Sequence, residues 1–157
     1  PGVVYKDITP LLANVDAFRF SVDALADHWC GASIDHIVGI EARGFLFAAP
    51  LAYRCGAGFV PMRKPGKLPA DTTSVAYALE YGSDELEVHA DAIVPGDRVL
   101  LVDDVLATGG TAAAAVQLLR NAGAEVVGVG FVIELGCLGG AGKLEGIEIT
   151  SLLHYPS

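Results

Sequence analysis

Four short runs of apolar residues, rich in β-branched side chains, constrain the fold of this chain more than any other feature. The runs are residues 37–40, 59–61, 99–102 and 126–133. Each is bounded by glycine, proline or charged residues, which is typical of strands buried on both faces. Helix-like segments at residues 45–53 and 111–121 follow two of them. This alternation predicts an α/β fold with a mostly parallel central sheet flanked by helices.

Length and composition favour one globular domain. The chain has 157 residues, of which 52% are apolar and 18% charged, so one full core is expected and intrinsic disorder is excluded. We predict a single domain over residues 1–157. Because the first residue is Pro1 and not methionine, we expect that upstream residues are missing. Residues 16–30 carry an apolar stripe of helical period, residues 63–71 predict an exposed loop, and residues 74–89 predict a hairpin.

Charge and cysteine content exclude several classes of function. Ten basic residues against nineteen acidic ones give a net charge of −9, which disfavours binding to nucleic acid. No apolar stretch reaches the roughly 20 residues that a membrane helix needs, and no secretion signal is visible. Cys30, Cys55 and Cys137 are widely spaced, which matches neither a disulfide framework nor the close pairs of zinc sites. We therefore expect a protein of the reducing cytoplasm.

The strongest motif in the chain is residues 98–111, with the sequence RVLLVDDVLATGGT. It combines a buried strand, the carboxylates of Asp103 and Asp104, a run of small residues, and a helix that begins near Thr111. Small residues let the backbone approach an anion, and the amide groups of a helix N-terminus form a phosphate site. The two carboxylates suit ribose hydroxyls or water on a divalent cation. The motif therefore predicts a sugar phosphate bound across one loop.

Three other structures can contain parts of this motif. A P-loop nucleotidase would need a Gly-Lys-Ser/Thr sequence, which is absent from the chain. A receiver domain also has a strand that ends in paired acids, but there the strand opens the domain. A structural helix cap formed by Thr108 or Thr111 remains open, because threonine and glycine are common at such junctions.

Two further stretches favour an anion site. Glu41, Ala42 and Arg43 follow the first predicted strand, and the guanidinium of Arg43 suits a pyrophosphate. The alternative is a surface arginine beside a turn. Residues 63–67 hold three of the ten basic residues of the chain, on a loop with proline and glycine. A solvated basic loop with no ligand is the alternative there.

The run VDDVLATGGT resembles the phosphoribosyl-pyrophosphate signature of type I phosphoribosyltransferases. Ala107 stands where hypoxanthine-type enzymes have a second functional aspartate, so the chain resembles the adenine branch of that family. Residues 1–10, 41–47, 60–69 and 79–92 are similar to the same branch. The resemblance runs from Pro1 nearly to the end of the chain and is weakest after Gly136. It implies the type I phosphoribosyltransferase fold, with a flexible loop and a hairpin over the site.

The resemblance also implies a set of site residues. Those expected to bind phosphoribosyl pyrophosphate or AMP are Glu41, Ala42, Arg63, Lys64, Lys67, Tyr81, Asp103, Asp104, Ala107, Thr108, Gly109, Gly110 and Thr111. Those expected to bind the base are Val4, Tyr5, Lys6 and Val105. Arg43 and Glu80 are the expected catalytic residues. Magnesium is expected to be held mainly by the substrate, with no direct protein ligand and water links to Asp103 and Asp104. A cis peptide bond is expected between Glu41 and Ala42.

The activity that the resemblance implies is transfer of the 5-phosphoribosyl group from phosphoribosyl pyrophosphate to adenine, giving AMP and pyrophosphate in purine salvage by a homodimer. The alternatives are a xanthine- or hypoxanthine-type transferase and a non-catalytic regulator that binds phosphoribosyl pyrophosphate. Composition alone would make Glu80 one acid of a solvated face with Asp84, Glu85 and Glu87. In the family that the chain resembles, the residue at the position of Glu80 is an acid. That acid is proposed to protonate, or hydrogen-bond to, the imidazole nitrogen of the purine.

Overall fold

A parallel sheet of five strands forms the centre of the computed structural model, which describes residues 6–79 and 81–156. In chain order the strands are β1 (His36–Ile40), β2 (Gly58–Met62), β3 (Thr72–Ala78), β4 (Ser83–His89), β5 (Arg98–Leu106), β6 (Glu125–Leu135) and β7 (Ile149–Tyr155). The sheet has the order β2-β1-β5-β6-β7, and all four neighbouring pairs run parallel. Strands β3 and β4 form a separate antiparallel hairpin.

The described residues form four α-helices. They are α1 (Thr9–Ala13), α2 (Val15–Trp29), α3 (Phe45–Cys55) and α4 (Gly110–Asn121), and short 3₁₀ segments occur at Cys30–Ala32, Gly136–Leu138 and Gly140–Leu144. Among the described residues, no helix has both the length and the apolar character required to cross a bilayer.

Side chains that alternate along the central strands build two cores. On β1, Ile37 packs against α2 and α3, whereas Val38 packs against α4 and the hairpin. On β5, Leu100 and Leu101 divide in the same way. Successive strand residues point to opposite faces of a sheet, so an unbroken apolar run is buried on both sides. The predicted α/β fold with a helix-flanked parallel sheet is confirmed.

The strand order opens a crevice between β1 and β5. The chain leaves β1 toward β2 on one side and leaves β5 toward β6 on the other. Loops that diverge at the carboxyl ends of neighbouring parallel strands make the usual ligand site of such sheets. The loops that follow β1 and β5 are therefore the expected place for a ligand site.

Some elements differ from the sequence prediction. Strand β5 was expected to end at Val102, but it continues to Leu106 because β6 is long and pairs with it as far as Glu134. Strand β7 and helix α1 were not predicted. The conclusion that the cysteines match no disulfide framework is wrong, because Cys30 and Cys55 are joined by a disulfide. Helices α2 and α3 pack side by side and end near each other, which sequence spacing does not show.

Candidate active site

Three connected pockets lie at the carboxyl ends of β1 and β5. The central pocket is lined by Lys6, Arg43, Leu135 and all of residues 103–112. The loop pocket is lined by Ile40, Glu41, Ala42, Arg43, Lys64, Asp103, Asp104 and Thr111. The hairpin pocket is lined by Ala78, Leu79, Thr108, Gly110, Thr111 and Lys143. Because Thr111 borders all three, they form one continuous cleft around the start of α4.

Helix α4 begins without a side-chain cap. The N-cap residue is Gly109, no side chain accepts a hydrogen bond from the first turn, and no acidic residue lies there. In contrast, the N-cap residue of α2 is Asn14, whose side-chain oxygen accepts from Ala17 N–H at 2.9 Å. The first intrahelical bond of α4 runs from Ala113 N–H to Gly109 O, so the preceding amides have no helical partner. This geometry fits an anion, and capping by the side chain of Thr108 or Thr111 is excluded.

Glycine is required at residue 109 for two reasons. Its φ is +78°, a left-handed conformation that other residues rarely adopt. A Cβ there would also lie 2.3 Å from Gly140 O. The start of α4 is therefore packed directly, backbone against backbone, on the 3₁₀ segment Gly140–Leu144. We call residues 107–111 the phosphate loop.

The two carboxylates at the end of β5 occupy different environments. Asp104 is buried, and its Oδ2 pairs with Arg43 Nε at 2.6 Å. Asp103 is partly buried and accepts from the Asp104 amide at 2.8 Å. Burial and the adjacent Asp104 carboxylate raise the pKa of Asp103 well above its ordinary value. A ligand that brings positive charge or hydroxyl donors to Asp103 would stabilise its charged form and lower its pKa.

The same pair of acids is compatible with a magnesium ion that is carried mainly by a substrate. Carboxylate oxygens are the ligands that magnesium prefers, and magnesium commonly uses only one or two of them together with substrate phosphates. Within residues 6–79 and 81–156, no group of three or more potential metal ligands occurs. The Asp103-Asp104 pair thus fits an ion that is shared with a substrate.

Glu41 holds the basic loop, residues 63–71, against the end of β1. Its carboxylate accepts from Arg63 Nε at 2.8 Å and from the Lys64 amide at 3.1 Å, and it pairs with Lys67 Nζ. The Glu41 side chain is only 8% exposed. Burial alone would raise the pKa of Glu41, but these hydrogen bonds outweigh it and leave the pKa below its ordinary value. The Glu41-Ala42 peptide bond is cis, as predicted.

A second polar cluster joins the basic loop to the hairpin and to α4. Lys64 Nζ pairs with Asp84 and donates to Tyr77 Oη at 3.1 Å. The Thr111 hydroxyl donates to the same Tyr77 oxygen at 3.4 Å. The hydrogen bond from Lys64 lowers the pKa of Asp84. Asp84, which composition placed on a solvated acidic face, is therefore a partner of the basic loop.

The structure brings together most, but not all, of the residues predicted for the site. Lys6 and Val105 line the central pocket with the phosphate loop, and Lys6 Nζ lies 4.6 Å from the centre of the Tyr155 ring. Tyr81 is 88% exposed on the hairpin turn and borders none of the three pockets. Val4, Tyr5 and Glu80 lie outside the described residues, so their roles stay predictions.

Sequence reasoning missed several residues in and beside this cleft. Among them, Leu135 and Lys143 line it, and Tyr77 and Asp84 contact Lys64 at its border. Leu135 ends a buried strand and carries no chemical signature. Tyr77 and Asp84 lie opposite each other in the register of the hairpin, and pairing of β3 with β4 was the one signal that could have linked them. Lys143 lies in the stretch after Gly136, where the resemblance is weakest.

Comparisons with known proteins agree with this geometry. A family model, the phosphoribosyl transferase domain, matches residues 5–143. The chain is 60% identical over 154 residues to an adenine phosphoribosyltransferase of Acidothermus cellulolyticus, a match that covers 98% of this chain and 87% of that protein. The crystal structure of adenine phosphoribosyltransferase from Thermoanaerobacter pseudethanolicus is 52% identical, with a TM-score of 0.94 over 98% of this chain and 90% of that one.

A third relative was solved with ligands. Adenine phosphoribosyltransferase from Saccharomyces cerevisiae, complexed with an imino-altritol bisphosphate and adenine, is 43% identical with a TM-score of 0.91, over 97% of this chain and 89% of that one. The family model covers most of the chain, and the relatives match almost all of it. The chain therefore belongs to the adenine phosphoribosyltransferases, within the phosphoribosyltransferase family.

Proposed function

We propose that this enzyme transfers the 5-phosphoribosyl group from phosphoribosyl pyrophosphate to adenine and releases AMP and pyrophosphate, as in purine salvage. One observation carries the proposal: the uncapped start of α4, the Asp103-Asp104 pair and Arg43 meet in one cleft at the carboxyl ends of β1 and β5. Amide groups, carboxylates and a guanidinium complement phosphate, ribose hydroxyls and pyrophosphate respectively.

Each part of the cleft suits one part of the substrate. The phosphate loop would hold the 5′-phosphate on its free amides. Asp103 and Asp104, at the end of β5, would accept hydrogen bonds from the ribose hydroxyls. The loop pocket would hold the pyrophosphate, since Ala42, Arg43 and Lys64 line it and the other cations of the basic loop adjoin it.

Catalysis in this arrangement would be mainly electrostatic. The bond from the anomeric carbon to the pyrophosphate oxygen breaks while the bond to the adenine nitrogen forms with inversion. In the transition state, positive charge gathers on the ribose and negative charge on the leaving pyrophosphate. Asp103 and Asp104 would stabilise the positive charge on the ribose. Arg43 and the basic loop would stabilise the negative charge on the pyrophosphate. Magnesium, when bound, neutralises pyrophosphate charge and would contact Asp103 and Asp104 through water.

The base would enter the central pocket. By resemblance to the family, adenine lies against Tyr5 on one face and Val105 on the other, and backbone groups of Val4 and Lys6 read its edge. Lys6 and Val105 border the same pocket as the phosphate loop, which supports this assignment. Glu80 would hydrogen-bond to the imidazole nitrogen of the purine, accept the proton that adenine loses as its bond to the ribose forms, and protonate that nitrogen in the reverse reaction.

Release of pyrophosphate with four bases tests the proposal. The enzyme is mixed with phosphoribosyl pyrophosphate and, in parallel, with adenine, hypoxanthine, guanine or xanthine. Of the four bases, we expect only adenine to give rapid release of pyrophosphate. Release with one of the other bases instead would identify a xanthine- or hypoxanthine-type enzyme. Binding of phosphoribosyl pyrophosphate without release in any arm would identify a regulator.

We also propose that the enzyme is a homodimer. Leu46 and Tyr53, seven residues apart on α3, are 42% and 89% exposed, and Phe59 is 37% exposed on the edge strand β2. A second copy would cover these apolar side chains, which are costly to leave in water. Sedimentation of the wild type and of Tyr53→Glu tests this. We expect a dimer that the substitution weakens, and a monomeric wild type would refute it.

A further inference from the structure

Lys143 borders the cleft beside the first turn of α4. A Cβ on Gly110 would lie 4.0 Å from Lys143 Nζ. The same lysine lines the hairpin pocket with Thr108, Gly110 and Thr111, and among the described residues it is the only charged one in that lining. Its ammonium group therefore lies next to the amides that we assign to the 5′-phosphate.

The position of Lys143 is fixed by the packing of its own segment. Gly140 is pressed against the phosphate loop so closely that a Cβ there would lie 2.2 Å from Ala107 O. Side chains at i and i+3 of a 3₁₀ helix lie on the same side, so Lys143 shares the face of Gly140. The next residue, Leu144, is buried in the core formed with α4. Lys143 thus extends from a docked segment rather than from a free loop.

Charge at this end of the cleft is otherwise too small for a phosphate. A phosphate monoester carries about −1.5 to −2 charges at pH 7, whereas a helix N-terminus supplies about +0.5. Arg43 is already paired with Asp104. In the part of the chain that the structure describes, no carboxylate pairs with Lys143. We propose that Lys143 binds the 5′-phosphate and supplies its main counter-charge, an inference that rests on the proposed function.

The assignment is selective for one phosphate of the substrate. Lys143 borders the hairpin pocket, whereas Arg43 and Lys64 border the loop pocket, and Thr111 is the residue that these two pockets share. Lys143 therefore contacts ligands that carry a 5′-phosphate, such as AMP and ribose 5-phosphate. It does not contact free pyrophosphate.

Calorimetry with AMP, ribose 5-phosphate and inorganic pyrophosphate on Lys143→Met tests this assignment. Methionine keeps most of the length of the side chain and removes its charge. We expect AMP and ribose 5-phosphate to bind about 10- to 100-fold more weakly, as is typical for loss of a charge-assisted hydrogen bond. Pyrophosphate affinity should stay within about twofold. Lys143→Arg should restore most of the AMP affinity.

Arg120→Met is the matched control. Arg120 is exposed at the last turn of α4, so the substitution removes the same charge at the opposite end of the same helix. It should leave all three affinities unchanged. If the wild type binds AMP and Lys143→Met binds it equally well, or loses AMP and pyrophosphate affinity alike, the assignment of Lys143 is wrong while the proposed function stands. If the wild type binds no AMP, the proposed function itself fails.

Discussion

The phosphate loop and the basic loop lie at the same edge of the sheet, but they offer positive potential by different means. The phosphate loop offers backbone amides that no side chain caps. The basic loop offers three cationic side chains, and each of them is already held by an acid. Arg63 and Lys67 pair with Glu41, and Lys64 pairs with Asp84.

The contrast indicates which half of the site must rearrange for a substrate. Amides packed into a helix start are ready to bind and cost little reorganisation. If the basic loop binds pyrophosphate as we propose, its cations have to exchange their acidic partners for that anion. Because Arg63 and Lys67 are 36% and 48% exposed, their ion pairs are worth roughly 0 to 1 kcal/mol each. A multivalent anion can therefore displace them.

Gly110→Asp should have the largest effect, because it prevents anion binding at the phosphate loop and leaves the basic loop unchanged. The new carboxylate would lie where we propose that the 5′-phosphate binds, so we expect near-total loss of affinity for phosphoribosyl pyrophosphate. The fold should remain, since Lys143 Nζ is the nearest atom to a Cβ at this position and aspartate is favourable in a first helical turn. Calorimetry and thermal unfolding measure the two quantities. Unchanged affinity would mean that this loop is only a helix start.

Gly109→Ala is the control at the adjacent glycine, and it should behave in the opposite way. Its Cβ would meet Gly140 O at 2.3 Å with φ at +78°. We therefore expect this small substitution to lower the free energy of unfolding, whereas the larger one at Gly110 does not.

Glu80→Gln sharpens the comparison by separating chemistry from binding. If Glu80 assists the purine nitrogen, turnover should fall by about 10² to 10⁴, the usual worth of general acid–base catalysis. Affinity for phosphoribosyl pyrophosphate should barely change, because both loops keep their contacts. Steady-state kinetics and calorimetry measure these two quantities.

Glu85→Gln is the cleaner control for acidity of the same face. Glu87 is less suitable because its carboxylate accepts from the Gly66 amide of the basic loop at 3.3 Å. Turnover of Glu80→Gln within a few-fold of Glu85→Gln would contradict a catalytic role for Glu80.

Removal of the disulfide should lower the stability of the fold without affecting the phosphate loop or the basic loop. Cys30→Ser breaks the link between the ends of α2 and α3, which closes a segment with a sequence separation of 25 residues. We expect a loss of about 2 to 4 kcal/mol in the free energy of unfolding. KM for both substrates should stay the same, because α3 meets the cleft at its other end. Urea unfolding with Cys137→Ser as control measures this, since Cys137 is a free, exposed cysteine. Equal midpoints for both variants would mean that the disulfide contributes nothing.

Glu41→Gln should have the smallest effect and loosens the basic loop alone. Because the pKa of Glu41 is lowered in the folded state, its contribution is complete above its ordinary pKa, near 4.5, and is lost as the pH falls through the lowered folded value. We expect wild-type stability to exceed that of the variant by about 1 kcal/mol at pH 7. The difference should shrink in acid.

Hydrogen exchange of the Lys64 amide, which donates to Glu41 at 3.1 Å, reports the local opening. Exchange should be faster in Glu41→Gln at neutral pH, with Glu85→Gln as the unaffected comparison. The same protection in all three proteins would show that Glu41 does not hold the loop.

Much of the phosphate loop could be predicted from sequence because its chemistry is local. The strand, the two carboxylates, the small residues and the helix start are consecutive in residues 98–111, and the backbone geometry of such a stretch depends mostly on its own residues. The basic loop could be predicted as a cluster of charge. Its partners could not, since Asp84 is 20 residues from Lys64 along the chain and meets it only through the fold.

By itself, the sequence determined the α/β class and the positions of three predicted anion-binding stretches, which follow β1, β2 and the apolar part of β5. Apolar periodicity and consecutive motifs are properties of neighbours along the chain. The tertiary structure alone decided the disulfide between Cys30 and Cys55, the pairing of Glu41 with the basic loop and the position of Lys143 beside α4. These contacts join residues that lie far apart in the chain, so their formation depends on how the helices and loops pack and not on any local pattern.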